Sequence, residues 1–329
     1  MRVGVTGANG FIGYHLISYI LSLGHEVIAF LHNGTSDAIL RKSAHQVFWG
    51  DITNMESLHP FLKNCDVLFH LAGFNRYWSR DPGVFYRTNS LGPQNIAAAC
   101  MAAGIEKLVH VSSCITLGAS DQPILRNEES EFNLYGSRFL YAETKKAGED
   151  EMKRWARQKG LPVVIVNPAS AIGEMDYGPT PIGKPIVDIC NGLWPVYVDG
   201  GACFIDVKDA VRGLWLALEK GQRGEQYLLA GDNLSNKDFM IKVARLAGRK
   251  HPRVRIPKVL LGIVAHCEEW IADHLTYRTP KLTVGMHALI GRYLYFDGSK
   301  AKTVLGFEAG PCDAAIRRSI QWFRENGYA

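Results

Sequence analysis

Tyr141 and Lys145 bracket the segment Tyr141-Ala142-Glu143-Thr144-Lys145, a spacing that puts both side chains on one face of a helix, one turn apart. An ammonium group beside a phenol favours the phenolate, so the tyrosine can give or take a proton near neutral pH. Tyr277 and Lys281 repeat the spacing, but Pro280 lies between them and spoils the helix that would bring them together. Ser113 follows an apolar, β-branched run and offers a hydroxyl that can donate a hydrogen bond to a carbonyl oxygen, with Ser112 as the alternative candidate. These residue types suit proton transfer and polarisation at a carbonyl or alcohol.

A second motif suits a dinucleotide. Thr6-Gly7-Ala8-Asn9-Gly10-Phe11-Ile12-Gly13 falls between the first apolar run and the first amphipathic stretch, where free backbone N–H groups and a helix dipole meet a pyrophosphate. Gly7 allows a tight turn, Gly10 lets the backbone approach the phosphates, and Gly13 permits close packing of helix on strand. Asn9, Phe11 and Ile12 complete the loop.

The elements that must hold these groups follow from periodicity. Short β-branched runs at 3–6, 27–31, 47–49, 67–71, 107–112 and 163–166 alternate with helical patterns at 12–23, 55–63, 94–103 and 141–158. Strands buried on both faces and separated by helices predict a doubly wound, mainly parallel α/β sheet. The cofactor domain is expected over residues 1–170, with strands returning from about 196–230. Residues 171–329, beginning with a Gly- and Pro-rich stretch, are expected mainly to build a smaller substrate-binding lobe.

The glycine spacing resembles that of the extended short-chain dehydrogenase/reductase family, a branch of the NAD-dependent epimerases and dehydratases with a Rossmann fold, and the likeness runs along nearly the whole chain. Gly50-Asp51-Ile52-Thr53 resembles the segment that lies near the adenine, and His70-Leu71-Ala72-Gly73 the one that passes under the nicotinamide ribose. Asn89 resembles the family's helix asparagine, and Asn167, Pro168 and Ser170 the segment that holds the carboxamide. The resemblance implies a Ser113, Tyr141 and Lys145 centre, with Lys145 also on the ribose. It further implies a homodimer formed through the helices at 94–103 and 141–158. The most specific likeness is to dihydroflavonol reductases and to a bacterial subgroup described as hopanoid-associated sugar epimerases. It is carried by Phe74-Asn75-Arg76-Tyr77-Trp78-Ser79-Arg80-Asp81-Pro82, by the stretch from Asn167 to Asp188, and by the Trp322 to Tyr328 end.

Family members differ outside the cofactor half. The acidic pair that sugar dehydratases carry after the strand-end serine is replaced here by Cys114-Ile115-Thr116-Leu117, and the arginine that epimerases use on a substrate diphosphate is missing before Phe204, although Lys208, Arg212 or Arg292 can replace it. The expectation is therefore an NAD(P)-dependent reductase of an aldehyde or ketone, or a dehydrogenase of the alcohol. A nucleotide-sugar epimerase is the alternative, and a non-catalytic cofactor sensor a remoter one. Phe74, Tyr77, Trp78, Ser113, Thr116, Tyr177 and Trp194 are the candidate substrate residues, the aromatics because loop aromatics wall apolar ligands.

NADP is favoured over NAD. The stretch from Ala29 to Ser36 has no carboxylate to meet the ribose hydroxyls and repel a 2′-phosphate, and His32 stands where the resembling reductases have arginine. Asn33, Thr35 and Ser36 offer further donors, and Arg41 or Lys42 can reach over the adenosine.

Composition excludes other classes. The 329 residues are 47% apolar and 21% charged, and the net charge of +5 comes from scattered basic residues, so no nucleic-acid partner is expected. The seven cysteines never form CxxC and suggest free thiols in a reducing cytoplasm. No run is long enough to span a membrane, and no membrane partner is expected. Metalloprotease, nucleophile-elbow and Walker motifs are absent, and no metal site is expected.

Overall fold

The apolar runs of the first half become parallel strands of one sheet: β1 (Arg2–Thr6), β2 (Glu26–His32), β3 (Gln46–Gly50), β4 (Val67–His70), β5 (Lys107–Val111) and β6 (Val163–Pro168). The computed structural model describes residues 1–36, 40, 44–193 and 196–329. A seventh strand, Gln226–Leu229, joins beside β6, so the order across the sheet runs from it through β6, β5, β4, β1 and β2 to β3. The chain winds outward from β1 to β3 and then crosses to β4 on the other side of β1. That reversal opens a crevice at the carboxyl ends of β1 and β4, where open α/β sheets bind ligands.

Helices cover both faces, as near-continuous apolar strands require. Helix α1 (Phe11–Ser22) and the helix Val207–Lys220 pack on one face around Leu16, Ile17, Ile20 and Leu214. On the other lie α2 (Met55–Leu62), α4 (Gly92–Ala103) and α5 (Leu140–Lys159), which enclose Phe61, Ile96, Cys100 and Met152. A short helix α3 (Gly83–Tyr86) enters α4 through a wide turn at Arg87–Leu91. Each fully buried large apolar side chain contributes about 1.5–3 kcal/mol, so these two layers fix the sheet that carries the site.

The second half departs from the expected division. Of the strands expected to return between 196 and 230, only Gln226–Leu229 rejoins the main sheet. Gly201–Asp206 instead centres a smaller sheet with Ser170–Ile172, Asp232–Ser235 and Tyr293–Leu294. Phe204 in that strand stacks on Phe239 with ring centroids 4.0 Å apart, which anchors the small sheet in a separate core with helices Gly183–Cys190, Asn236–Ala247 and Asp313–Glu325.

Candidate functional site

The glycine loop is shaped by close approaches. Gly7 has φ +67°, and a Cβ there would lie 2.8 Å from the Ala72 nitrogen in the loop after β4. A Cβ at Gly13 would lie 2.2 Å from the Gly7 carbonyl oxygen, so α1 can begin this close to β1 only with glycine there. The first turn of α1 carries no acidic residue, and its N-cap, Gly10, provides no side-chain acceptor. Its leading N–H groups therefore face the crevice uncapped, as an anion-binding helix terminus requires.

One cavity of about 890 Å³ runs from this loop along the carboxyl ends of the strands. At one end are His32, Asp51 and Ile52, with His32 Nε2 3.6 Å from Asp51 Oδ2. At the other are Ser113, Tyr141 and Lys145, with Leu71, Ala72, Gly73, Pro168 and Ser170 between. The length, the uncapped helix and the glycine cradle fit an extended dinucleotide.

Tyr141 and Lys145 occupy the first turns of α5 and face the end of β5. Burial pushes the Tyr141 phenol up to about 12, opposed by a hydrogen bond with the Ser113 side chain. Burial also brings Lys145 down to about 8, opposed by the charge of Glu149. The Lys145 ammonium donates to the Val111 carbonyl at 3.0 Å. Burial is the largest influence on the phenol in this arrangement. Tyr77 packs on Tyr141 at 5.7 Å and on Phe139 at 4.9 Å, its own phenol driven upward by burial.

Behind these groups lies a polar network whose central residue sequence reasoning missed. Glu149, 1% exposed, accepts hydrogen bonds at Oε2 from Ser112 (2.8 Å), Thr116 (2.7 Å) and Asn167 (2.8 Å). Lys153 donates to its Oε1 at 2.9 Å and to Gln226 at 2.6 Å, and Gln226 donates on to the Asn167 carbonyl at 2.9 Å. Burial alone would raise the Glu149 carboxyl, but Lys153 and the hydrogen bonds hold it below its ordinary value. Its position eight residues beyond Tyr141, two turns along the same helix face, is the signal that was available. His70 and His110 lie side by side on β4 and β5, their rings 5.3 Å apart. Burial brings His70 down to about 3 and His110 far below its usual range, so both are neutral and Lys145 is the cation here.

The remaining expected site residues divide. Asn9, Phe11, Ile12, Phe74 and Tyr77 line the cavity. Asn89 does not: it donates to the Phe74 carbonyl and to Thr144, and accepts from the Phe74 N–H at 2.8 Å, clamping the Gly73–Phe74 backbone to α5. Asn167 and Thr116 likewise sit in the Glu149 network behind the cavity wall. Trp78 turns away and donates to Asp273 at 2.8 Å, while Tyr177 packs edge-on against Trp322 in the C-terminal core. Thr35 spends its hydroxyl on the His32 carbonyl. Trp194, Arg41 and Lys42 lie outside the described residues.

Comparison with known proteins identifies the family and the fold. The model of the NAD dependent epimerase/dehydratase family matches residues 3–230. A Synechocystis sp. protein carrying a dihydroflavonol 4-reductase name is 31% identical over 98% of this chain and 95% of its own. Sterol demethylase protein B of Methylococcus capsulatus is 29% identical over 99% of both chains. The crystal structure of gox2253 superposes with a TM-score of 0.88 at 32% identity, over 99% of each chain.

Proposed function

Because the chain belongs to the NAD-dependent epimerase/dehydratase family, as an NAD(P)-dependent hydride-transfer enzyme of the extended short-chain type, we propose that it interconverts an apolar ketone or aldehyde and its alcohol. The observation that carries this reading is the wall of the cavity around Tyr141. Phe74, Tyr77, Ile115, Phe139, Leu289 and Leu294 face it, and the basic residues lining it, among the described residues, are His32, Arg87 and Lys145. Arg87 is paired with Asp81. The residues considered as a substitute diphosphate clamp are also engaged: Lys208 with Glu174, Arg212 with Asp209 and Arg292 with Asp121. A nucleotide sugar would bury its diphosphate without a partner, at a cost that disfavours it.

A dinucleotide held here would supply hydride to the carbonyl carbon or accept it from the alcohol carbon. The uncapped N–H groups of α1 would hold its pyrophosphate, Asp51 and Ile52 its adenine end, Lys145 a ribose hydroxyl, and Pro168 and Ser170 its carboxamide. Tyr141 stays protonated in its buried setting and so gives its proton to the substrate oxygen in the reductive direction, while Ser113 donates a hydrogen bond to the same oxygen. Asn89 and Asn167 act one layer back by fixing the loops that make these contacts. NADP is the preferred dinucleotide, because residues 32–36 carry no carboxylate to oppose a 2′-phosphate.

The substrate is lipophilic and bulky, of the kind the Methylococcus relative's name indicates. The working unit is a cytoplasmic homodimer joined through α4 and α5; sedimentation that finds monomer alone at micromolar concentration overturns that part. The reading as a whole is tested by following NADPH consumption against aldehydes, ketones, 3-oxosterols and nucleotide sugars. Turnover of apolar ketones is expected, and epimerisation of a nucleotide sugar without net cofactor change overturns it.

A further inference from the structure

The helix Lys258–Ile271, with its continuation through Ala272–Thr276, is turned inside out relative to an ordinary surface helix. Val259, Ile263 and Trp270 are 76%, 62% and 55% exposed, and Leu260, Val264, Ile271 and Leu275 extend the same stripe at helical spacing. The two glutamates of the helix are half-buried and turned toward neighbouring segments instead. Glu268 accepts the N–H groups of Lys281 and Leu282 at 2.6 and 3.0 Å, and Glu269 accepts the Val284 N–H at 2.7 Å while pairing with Arg138 at 2.9 Å. Asp273 accepts the Trp78 indole hydrogen. These are the only acidic residues between 249 and 281; Glu268 and Glu269 are half-buried, and Asp273, though exposed, is engaged by Trp78.

Exposed cations flank this helix along the chain. Lys250, Arg253, Lys258, Arg278 and Lys281 are exposed, and none has a carboxylate partner among the described residues. Tyr277 lies under the Arg80 guanidinium at 4.0 Å, which adds a second amphipathic ring beside Trp270. An exposed apolar stripe with aromatic residues, flanked along the chain by unpaired cations, suits the interfacial plane of a bilayer bearing negative charge.

We infer that this face docks the protein on anionic lipid membranes, the helix lying in the headgroup plane. A second copy of the chain fits less well, because a self-complementary contact would bring the same cations together without an acidic counterpart. The expectation of no membrane partner came from the absence of a spanning segment. No helix among the described residues is long and apolar enough to cross a membrane, yet an interfacial helix needs only one apolar face. The docking is independent of the reaction assigned above and is read without substrate.

The test is flotation of the full-length protein with vesicles of phosphatidylcholine alone or with phosphatidylglycerol added. Binding to the phosphatidylglycerol vesicles is expected, falling at least tenfold in Val259→Ser/Ile263→Ser and in Lys258→Glu/Lys281→Glu, while NADPH affinity and oligomeric state stay those of the parent. Absence of the parent from floated anionic vesicles overturns the inference. So does undiminished binding of both variants. A lipid-free dimer that Val259→Ser/Ile263→Ser dissociates overturns it in favour of a contact between copies.

Discussion

The Glu149 carboxylate accepts the hydroxyl hydrogen of Ser112 at 2.8 Å, which ties the end of β5 to the same helix that presents Tyr141 and Lys145. Its charge is also what opposes the fall of the Lys145 ammonium to about 8. Removing that charge lets burial act alone and lowers Lys145 further. A lysine is protonated below its pKa, so activity that depends on the ammonium is lost as pH rises through that value. Glu149→Gln is therefore expected to move the alkaline limb of the kcat profile to lower pH, measured by steady-state kinetics across pH. A limb unchanged from the parent removes Glu149 from the control of Lys145.

Tyr141→Phe deletes the proton donor and leaves the ring that packs on Tyr77. Cofactor affinity should be retained, while turnover falls by roughly 10²-fold or more, the range for a general acid or base. Parent-like turnover in this variant would exclude Tyr141 as the proton donor.

Local patterns carried most of the fold and the first layer of the site. The glycine loop, the Tyr141 and Lys145 spacing and the alternation of strands with helices are short-range properties, and each lies in the cavity or the sheet as expected. What sequence could not show depends on contacts between distant segments. Asn167 and Gln226 meet Glu149 and Lys153 only because β6 and Gln226–Leu229 are neighbours. Trp78 and Tyr177 were expected at the cavity as loop aromatics, but Asp273 and Trp322, far along the chain, draw them elsewhere. The inverted helix escaped because its amphipathic pattern is ordinary; only the fold shows which side faces out.

Gly13→Ala places a methyl group where the Gly7 carbonyl oxygen already stands, 2.2 Å from the ideal Cβ position. Backbone atoms cannot rotate away as a flexible side chain can, so α1 must shift from β1. A loss of about 1–3 kcal/mol in folding stability is expected, together with weaker dinucleotide binding. Denaturation and titration with NADPH check both, and parent values for both would contradict the tight approach.

The choice of dinucleotide rests on His32, exposed at the end of β2 with Asp51 3.6 Å from its Nε2. Among the described residues, Asp51 is the carboxylate that lines this end of the cavity beside the imidazole. Protonated, the imidazole pairs with that carboxylate or with a 2′-phosphate; neutral, it still donates one hydrogen bond. Substituting Asp at this position puts two carboxylates side by side. They would accept from the ribose hydroxyls of NAD and repel the extra phosphate of NADP. His32→Asp is therefore expected to raise the Kd for NADPH and lower that for NADH, inverting the preference of the parent. Fluorescence titration measures both constants in both proteins. Equal constants for the two cofactors in the parent, or a variant that keeps the parent's order, would remove His32 as the selecting residue.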